Sequence, residues 1–140
     1  MARVEDGMPY AWGQLYAALL AVGGLARAGR VQPAEARQLE RTAGNPRNVC
    51  WRLLGEAGQQ AFLARERGGV VAEAAVAVMA DAVRLLPARR VSRDGLRQDE
   101  AAAFRQGYEE RLAAYRKEWE GLVGSSTPGL SSSETLESRT

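Results

Sequence analysis

The stretch Val70-Val-Ala-Glu-Ala-Ala-Val-Ala-Val-Met-Ala-Asp-Ala-Val-Arg-Leu-Leu86 decides the fold. Its early valines, Val70, Val71, Val76 and Val78, invite a β-strand. Against that stand its seventeen residues, six of them alanine, with apolar positions Ala75, Val78, Met79, Ala82, Val83 and Leu86 at helical spacing. A strand here would also lack a second strand to pair with, since β-branched residues cluster nowhere else. The stretch therefore reads as a helix closed by Pro87, and the chain as all-α rather than α/β.

The flanking sequence follows the same logic. Pro9, Pro33 and Pro46 each open an alanine-, leucine- or arginine-rich run, the place where proline's missing N–H costs nothing. The first run predicts a helix from Pro9 to about Ala28, with Trp12, Leu15, Tyr16, Leu19, Leu20 and Val22 or Gly23 on a broad apolar face, and with Gly23, Gly24 and Gly29 ending it. A shorter helix from Pro33 to about Thr42 turns Ala36, Leu39 and Ala43 inward before Gly44 and Asn45 break it.

The next helix runs from Pro46 to about Arg65, burying Val49, Cys50, Leu53, Leu54, Ala57, Ala61 and Phe62. Gly55 and Gly58 inside it suggest a close helix approach. Gly68 and Gly69 make the following break. The last helix covers about Arg97 to Leu122, with Ala101, Phe104, Tyr108, Leu112, Tyr115 and Trp119 at steps of three and four. The expectation is a compact all-α bundle of about five helices over residues 1–123. A Ser/Gly-rich flexible, disordered tail over 124–140 follows it.

Composition narrows the chemistry. The 140 residues contain no histidine, the usual general base and the commonest metal-binding side chain, and only one cysteine, Cys50. No intramolecular disulfide or multi-cysteine metal site is open to the chain, and Cys50 beside Trp51 reads as a buried structural thiol. Asp99 and Glu100 sit in the first turn of the last helix, where negative charge is favoured, and Glu109 and Glu110 read as solvated. No catalytic, cofactor-binding or metal-binding residue is assigned, and the chain reads as a non-enzyme. The longest apolar stretch, Leu15 to Ala26, is too short for a bilayer, and no secretory signal is visible. A cytoplasmic protein without membrane contact is the expectation.

The basic residues are 18 arginines and a single lysine, Lys117. Residues 1–117 carry 18 positive against 13 negative charges, a net +5, whereas 118–140 are net −3. Two clusters stand out. Arg84, Arg89, Arg90, Arg93 and Arg97 are offset only by Asp94; Arg27, Arg30, Arg37, Arg41, Arg47 and Arg52 are offset by Glu35 and Glu40. A GC-rich genome accounts for arginine over lysine but not for clustering, and guanidinium forks suit phosphate. The aromatics Trp12, Tyr16, Trp51, Phe62, Phe104, Tyr108, Tyr115 and Trp119 are assigned to the core by their helical spacing. The competing reading, exposed rings stacking unpaired bases beside arginines, is kept as the lesser one.

Three segments also carry a resemblance. Tyr10-Ala-Trp-Gly-Gln-Leu-Tyr-Ala-Ala-Leu-Leu20, then Asn45-Pro-Arg-Asn-Val-Cys-Trp-Arg-Leu-Leu54, then Leu86-Pro-Ala88 with Phe104-Arg-Gln-Gly-Tyr-Glu-Glu-Arg111 resemble, in order, helices of the C-terminal region of the type I-C CRISPR large subunit. The chain has Glu109-Glu110 where that family has His-Gln, and its arginine-rich segment 89–97 differs.

In such systems this helical region is also made separately as a small subunit, the role that a chain of this length fits. The resemblance implies a non-catalytic small subunit of a Cascade surveillance complex. Its partners would be the large subunit, the backbone subunits, crRNA, target DNA and a second copy of itself. It would stabilise the R-loop through arginines on DNA backbone. The expected nucleic-acid-binding residues are Arg89, Arg90 and Arg93, then Arg47, Arg52 and Arg30; Arg52 matches a family arginine. Gly107, Tyr108 and Arg111 are expected to set helix packing instead. Two rival readings are an arginine-rich adaptor binding an acidic partner protein and an enzyme completed by residues across a subunit interface.

Overall fold

The computed structural model describes residues 2–86 and 96–122, with side chains from Met8 onward. Five helices occur there: α1 (Ala2–Ala28), α2 (Ala36–Gly44), α3 (Pro46–Glu66), α4 (Gly69–Arg84) and α5 (Gln98–Glu118), followed by a 3₁₀ turn at Glu120–Leu122. The fold is all-α, and the decisive stretch is helical as its alanine content and spacing require. Pro87 and the Ser/Gly-rich stretch 124–140, read above as a helix stop and a flexible tail, lie outside the described residues.

Helix α1 is the axis of the bundle. Leu15 to Leu19 and Ala21 to Leu25 are buried on every side, because α5, α3 and α4 all pack against it. Two expectations about it are corrected. It starts at Ala2, so Pro9 lies inside it rather than opening it; proline's φ is already helical and only one donor is lost. It also passes through Gly23 and Gly24 and stops at Gly29, whose φ of +72° is the left-handed conformation that suits glycine. Arg67, at the end of α3, donates to the Ala26 and Arg27 carbonyls at 3.2 and 2.9 Å and so caps α1 from another element.

The tightest contact joins α1 to α5. A Cβ on Gly13 would collide with the Phe104 carbonyl, and one on Gly107 with the Tyr10 carbonyl. The two glycines let the helices cross backbone to backbone. Around this crossing Tyr16 meets Phe104 and Tyr108 with ring centroids 5.6 Å apart in each pair. Such tilted pairs add about 0.5–1.5 kcal/mol each beyond burial. All the α5 positions expected inside are buried except Trp119, which is half-buried.

Helix α2 begins at Ala36, three residues after Pro33, because the Tyr108 hydroxyl accepts the Ala34 N–H at 2.7 Å and holds that segment extended. Its inward residues are Leu39, Thr42 and Ala43, while Ala36 is exposed. Helix α3 packs through Cys50, Ala57 and Ala64, small residues seven apart. That register turns Trp51 and Phe62 outward, 73% and 61% exposed, correcting their assignment to the core. Gly55 and Gly58 border open space and mark no close approach. Helix α4 likewise packs through Ala74, Ala75, Val78 and Ala82, leaving Val83 and Leu86 exposed where burial was expected.

Candidate nucleic-acid interface

The two arginine clusters have different fates. In the second half of the chain, Arg84 pairs with Asp81, and Arg97 pairs with Asp99 and Glu100 at 3.3 Å each. Both flanking arginines of that cluster are thus engaged by acids within their own local segment. Arg89, Arg90 and Arg93, expected first among the phosphate contacts, lie outside the described residues.

The other cluster is assembled by the α2–α3 corner. The tight connection at Asn45 brings the exposed side of α2 beside the first two turns of α3. Two open, adjoining grooves result, sharing Asn45 and Asn48. One, of about 570 Å³, is lined by Asn45, Arg47, Asn48 and Trp51. The other, of about 470 Å³, takes in Arg37, Arg41 and Arg52 with Glu35, Gln38 and Thr42. None of Arg37, Arg41, Arg47 and Arg52 forms an ion pair with an acid among the described residues. The nearby Glu40 is itself engaged by Arg105 at 3.6 Å. Four guanidinium groups against one lining carboxylate give the corner a positive field that attracts anions.

Arg47 and Arg52 are therefore brought together with Arg37 and Arg41. Arg30 is not: it is exposed in the turn after α1 and lines neither groove. Gly107 and Tyr108 are buried in the α1–α5 contact, and Arg111 lies over the Tyr115 ring and pairs with Asp81 at 3.7 Å.

The titratable groups away from the corner are shifted by packing. Burial pushes the Cys50 thiol up to about 12 and raises the Tyr16 and Tyr108 phenols. Burial, then the Asp81 carboxylate, raises Tyr115. Hydrogen bonds from Tyr10 and then Gln106 hold Glu110 below its ordinary value, and the Arg97 guanidinium does the same for Asp99. Among the described residues no three carboxylate or thiol groups gather to hold a metal ion, and no helix is long and apolar enough to cross a membrane.

Trp51 is the site residue that sequence reading assigned elsewhere. Its neighbours at four-residue steps are Arg47 and Gly55, neither of them apolar bulk, whereas Cys50 has Ala57 and Ala64 in phase. That contrast was available as a signal for an outward ring. No family model matches the chain, and no curated protein or solved structure matches it.

Proposed function

We propose that this chain is a non-catalytic small subunit of a type I CRISPR surveillance complex, acting in the cytoplasm, that stabilises crRNA-guided R-loop formation by gripping DNA backbone. The observation that carries the reading is the set of four acid-free arginines, Arg37, Arg41, Arg47 and Arg52, along adjoining grooves at one corner of the bundle. Guanidinium holds phosphate through two hydrogen bonds and keeps its charge at every physiological pH.

Support also comes from the ordered resemblance of Tyr10–Leu20, Asn45–Leu54 and Phe104–Arg111 to the small-subunit region of the type I-C large subunit. Its partners in this reading are the large and backbone subunits, crRNA and target DNA, and a second copy of itself. Exchange of a DNA duplex for an RNA–DNA heteroduplex is close to balanced, so sequence-independent backbone contacts suffice to tip it. Arg89, Arg90 and Arg93 extend the same basic character along the chain.

The test is reconstitution of the effector with and without this chain, reading target-DNA affinity against salt. Omission lowers the affinity. Replacing Arg47 and Arg52 by alanine together makes the salt dependence shallower, by about 0.7 in slope per lost contact on a single strand and about 0.9 on duplex. Failure of the chain to co-purify with the effector, or unchanged affinity on omission, overturns the reading. Binding to an acidic protein in place of DNA leaves the adaptor reading.

A further inference from the structure

We infer that Trp51 is a base-stacking platform, so that the α2–α3 corner takes an unpaired DNA strand in preference to a duplex. The inference rests on the nucleic-acid reading above and specifies which form of DNA the corner holds.

Trp51 is 73% exposed, the most exposed large apolar side chain among the described residues. Exposure of a tryptophan forfeits apolar burial, and α3 packs instead through Cys50, Ala57 and Ala64 on another face. No other ring and no cation stacks on it among the described residues, the one cation–ring contact there being Arg111 over Tyr115. Its face is thus open to a planar ligand. The approach along α3 is open too, because a Cβ on either Gly55 or Gly58 would meet nothing.

The company this ring keeps decides what kind of ligand fits. A tryptophan that anchors a protein partner sits among apolar neighbours at the centre of its patch. Around Trp51 the groove is lined by Arg47, Asn45 and Asn48, and the adjoining groove carries Arg52 and two further arginines. Arginines lining the grooves for backbone contact, amides able to donate and accept at base edges, and one bare indole are the three parts that single-strand binders combine. In a duplex the bases are stacked on each other, so only a strand with free base faces can use the ring.

The experiment uses the purified full chain with a twenty-nucleotide oligothymidine and a duplex of the same length, at matched salt. Tryptophan emission is a direct readout, because Trp12 is buried, Trp119 is half-buried and Trp51 alone of the three is exposed. We expect oligothymidine to quench the emission and to bind more tightly than duplex. Trp51→Ala should weaken oligothymidine binding at least about five-fold, remove the quenching and narrow the preference over duplex. It should leave the salt slope unaltered, since the ring carries no charge. Trp51→Tyr should restore most of the affinity. An exposed position makes loss of folding no explanation, and an unchanged thermal melt checks that.

Unchanged affinity and quenching in Trp51→Ala, with binding still lost in Arg47→Ala/Arg52→Ala, overturns the stacking inference and leaves backbone gripping in place. Equal affinity for duplex and single strand overturns it likewise. Absence of binding to either DNA at low salt overturns both readings. Trp51-dependent self-association without DNA binding would assign the ring to a protein interface and overturn the inference.

Discussion

Glycine does two opposite jobs in this chain, and each is decided by what lies within 4 Å of a missing methyl group. At Gly13 and Gly107 the neighbour is the backbone carbonyl of the facing helix, which cannot swing aside as a side chain would. Gly13→Ala or Gly107→Ala should therefore push α1 and α5 apart. We expect each to destabilise the fold toward the upper end of the about 1–3 kcal/mol typical of overpacking, read from chemical denaturation. At Gly55 and Gly58 the neighbour is solvent, and both lie in a regular helix. Gly55→Ala and Gly58→Ala should stabilise by about 0.4–1 kcal/mol each, because alanine narrows the unfolded ensemble without meeting anything in the folded one. A destabilising result at Gly58 would show that the outer face of α3 is covered.

Single hydroxyls tie the shorter helices to α5. The Tyr108 hydroxyl accepts the Ala34 N–H, fixing where α2 begins, and also sits in the aromatic cluster with Tyr16. Tyr108→Phe keeps the ring and removes the acceptor. It should cost about 1 kcal/mol and speed hydrogen exchange across residues 31–44 more than in α5. On the other flank the Tyr115 hydroxyl donates to Asp81 at 3.0 Å, joining α5 to α4 in a cluster completed by Arg84 and Arg111. Because the acceptor is a carboxylate, Tyr115→Phe should cost more, about 1.5–3 kcal/mol. Uniform exchange rates in Tyr108→Phe would mean that α2 is held by its other contacts, Leu39, Thr42 and Ala43 in the core and Glu40 paired with Arg105, without help from that hydroxyl.

Across the whole molecule, the buried acids set the response to alkali. Cys50 has an ordinary value of 9.0 and is held near 12 in the fold, and Tyr16, Tyr108 and Tyr115 are raised in the same direction by burial. Each keeps its proton in the native state at a pH where the unfolded chain has begun to release it. The unfolded state then binds fewer protons, so stability is full below about pH 9 and falls as pH rises toward 12. Denaturation midpoints measured from pH 7 to 11 should show that decline. In the native chain Cys50 should resist thiol reagents at pH 8 and react once denaturant opens the core.

The helices themselves were legible because each carries its own signal. Alanine content and three-and-four spacing marked α4 as a helix despite its valines, and the glycines at 68 and 69 marked the turn before it, where both take positive φ. The core side of α5 could be read residue by residue, since one continuous stripe packs mainly against α1. Cys50 was placed correctly for the same reason. The basic character of the α2–α3 segment was also visible as a cluster in the sequence.

What the sequence left open depends on which helix meets which. Spacing defines a candidate face only to within a residue or two: α3 buries Cys50, Ala57 and Ala64 and packs Val49, Leu53, Leu54 and Ala61 half-buried beside them, but leaves Phe62 at the edge of that face exposed. A shift of one position is about 100° around the helix, enough to carry Trp51 from core to solvent. Pairing of charges was equally hidden. Arg84 and Arg97 look as free in the sequence as Arg47 and Arg52, yet the former are engaged by acids and the latter are not. Composition and periodicity thus determined an arginine-rich all-α chain. Only the packing of α3 against α1, with α2 folded back beside it, decided which arginines share a groove and which ring stands open among them.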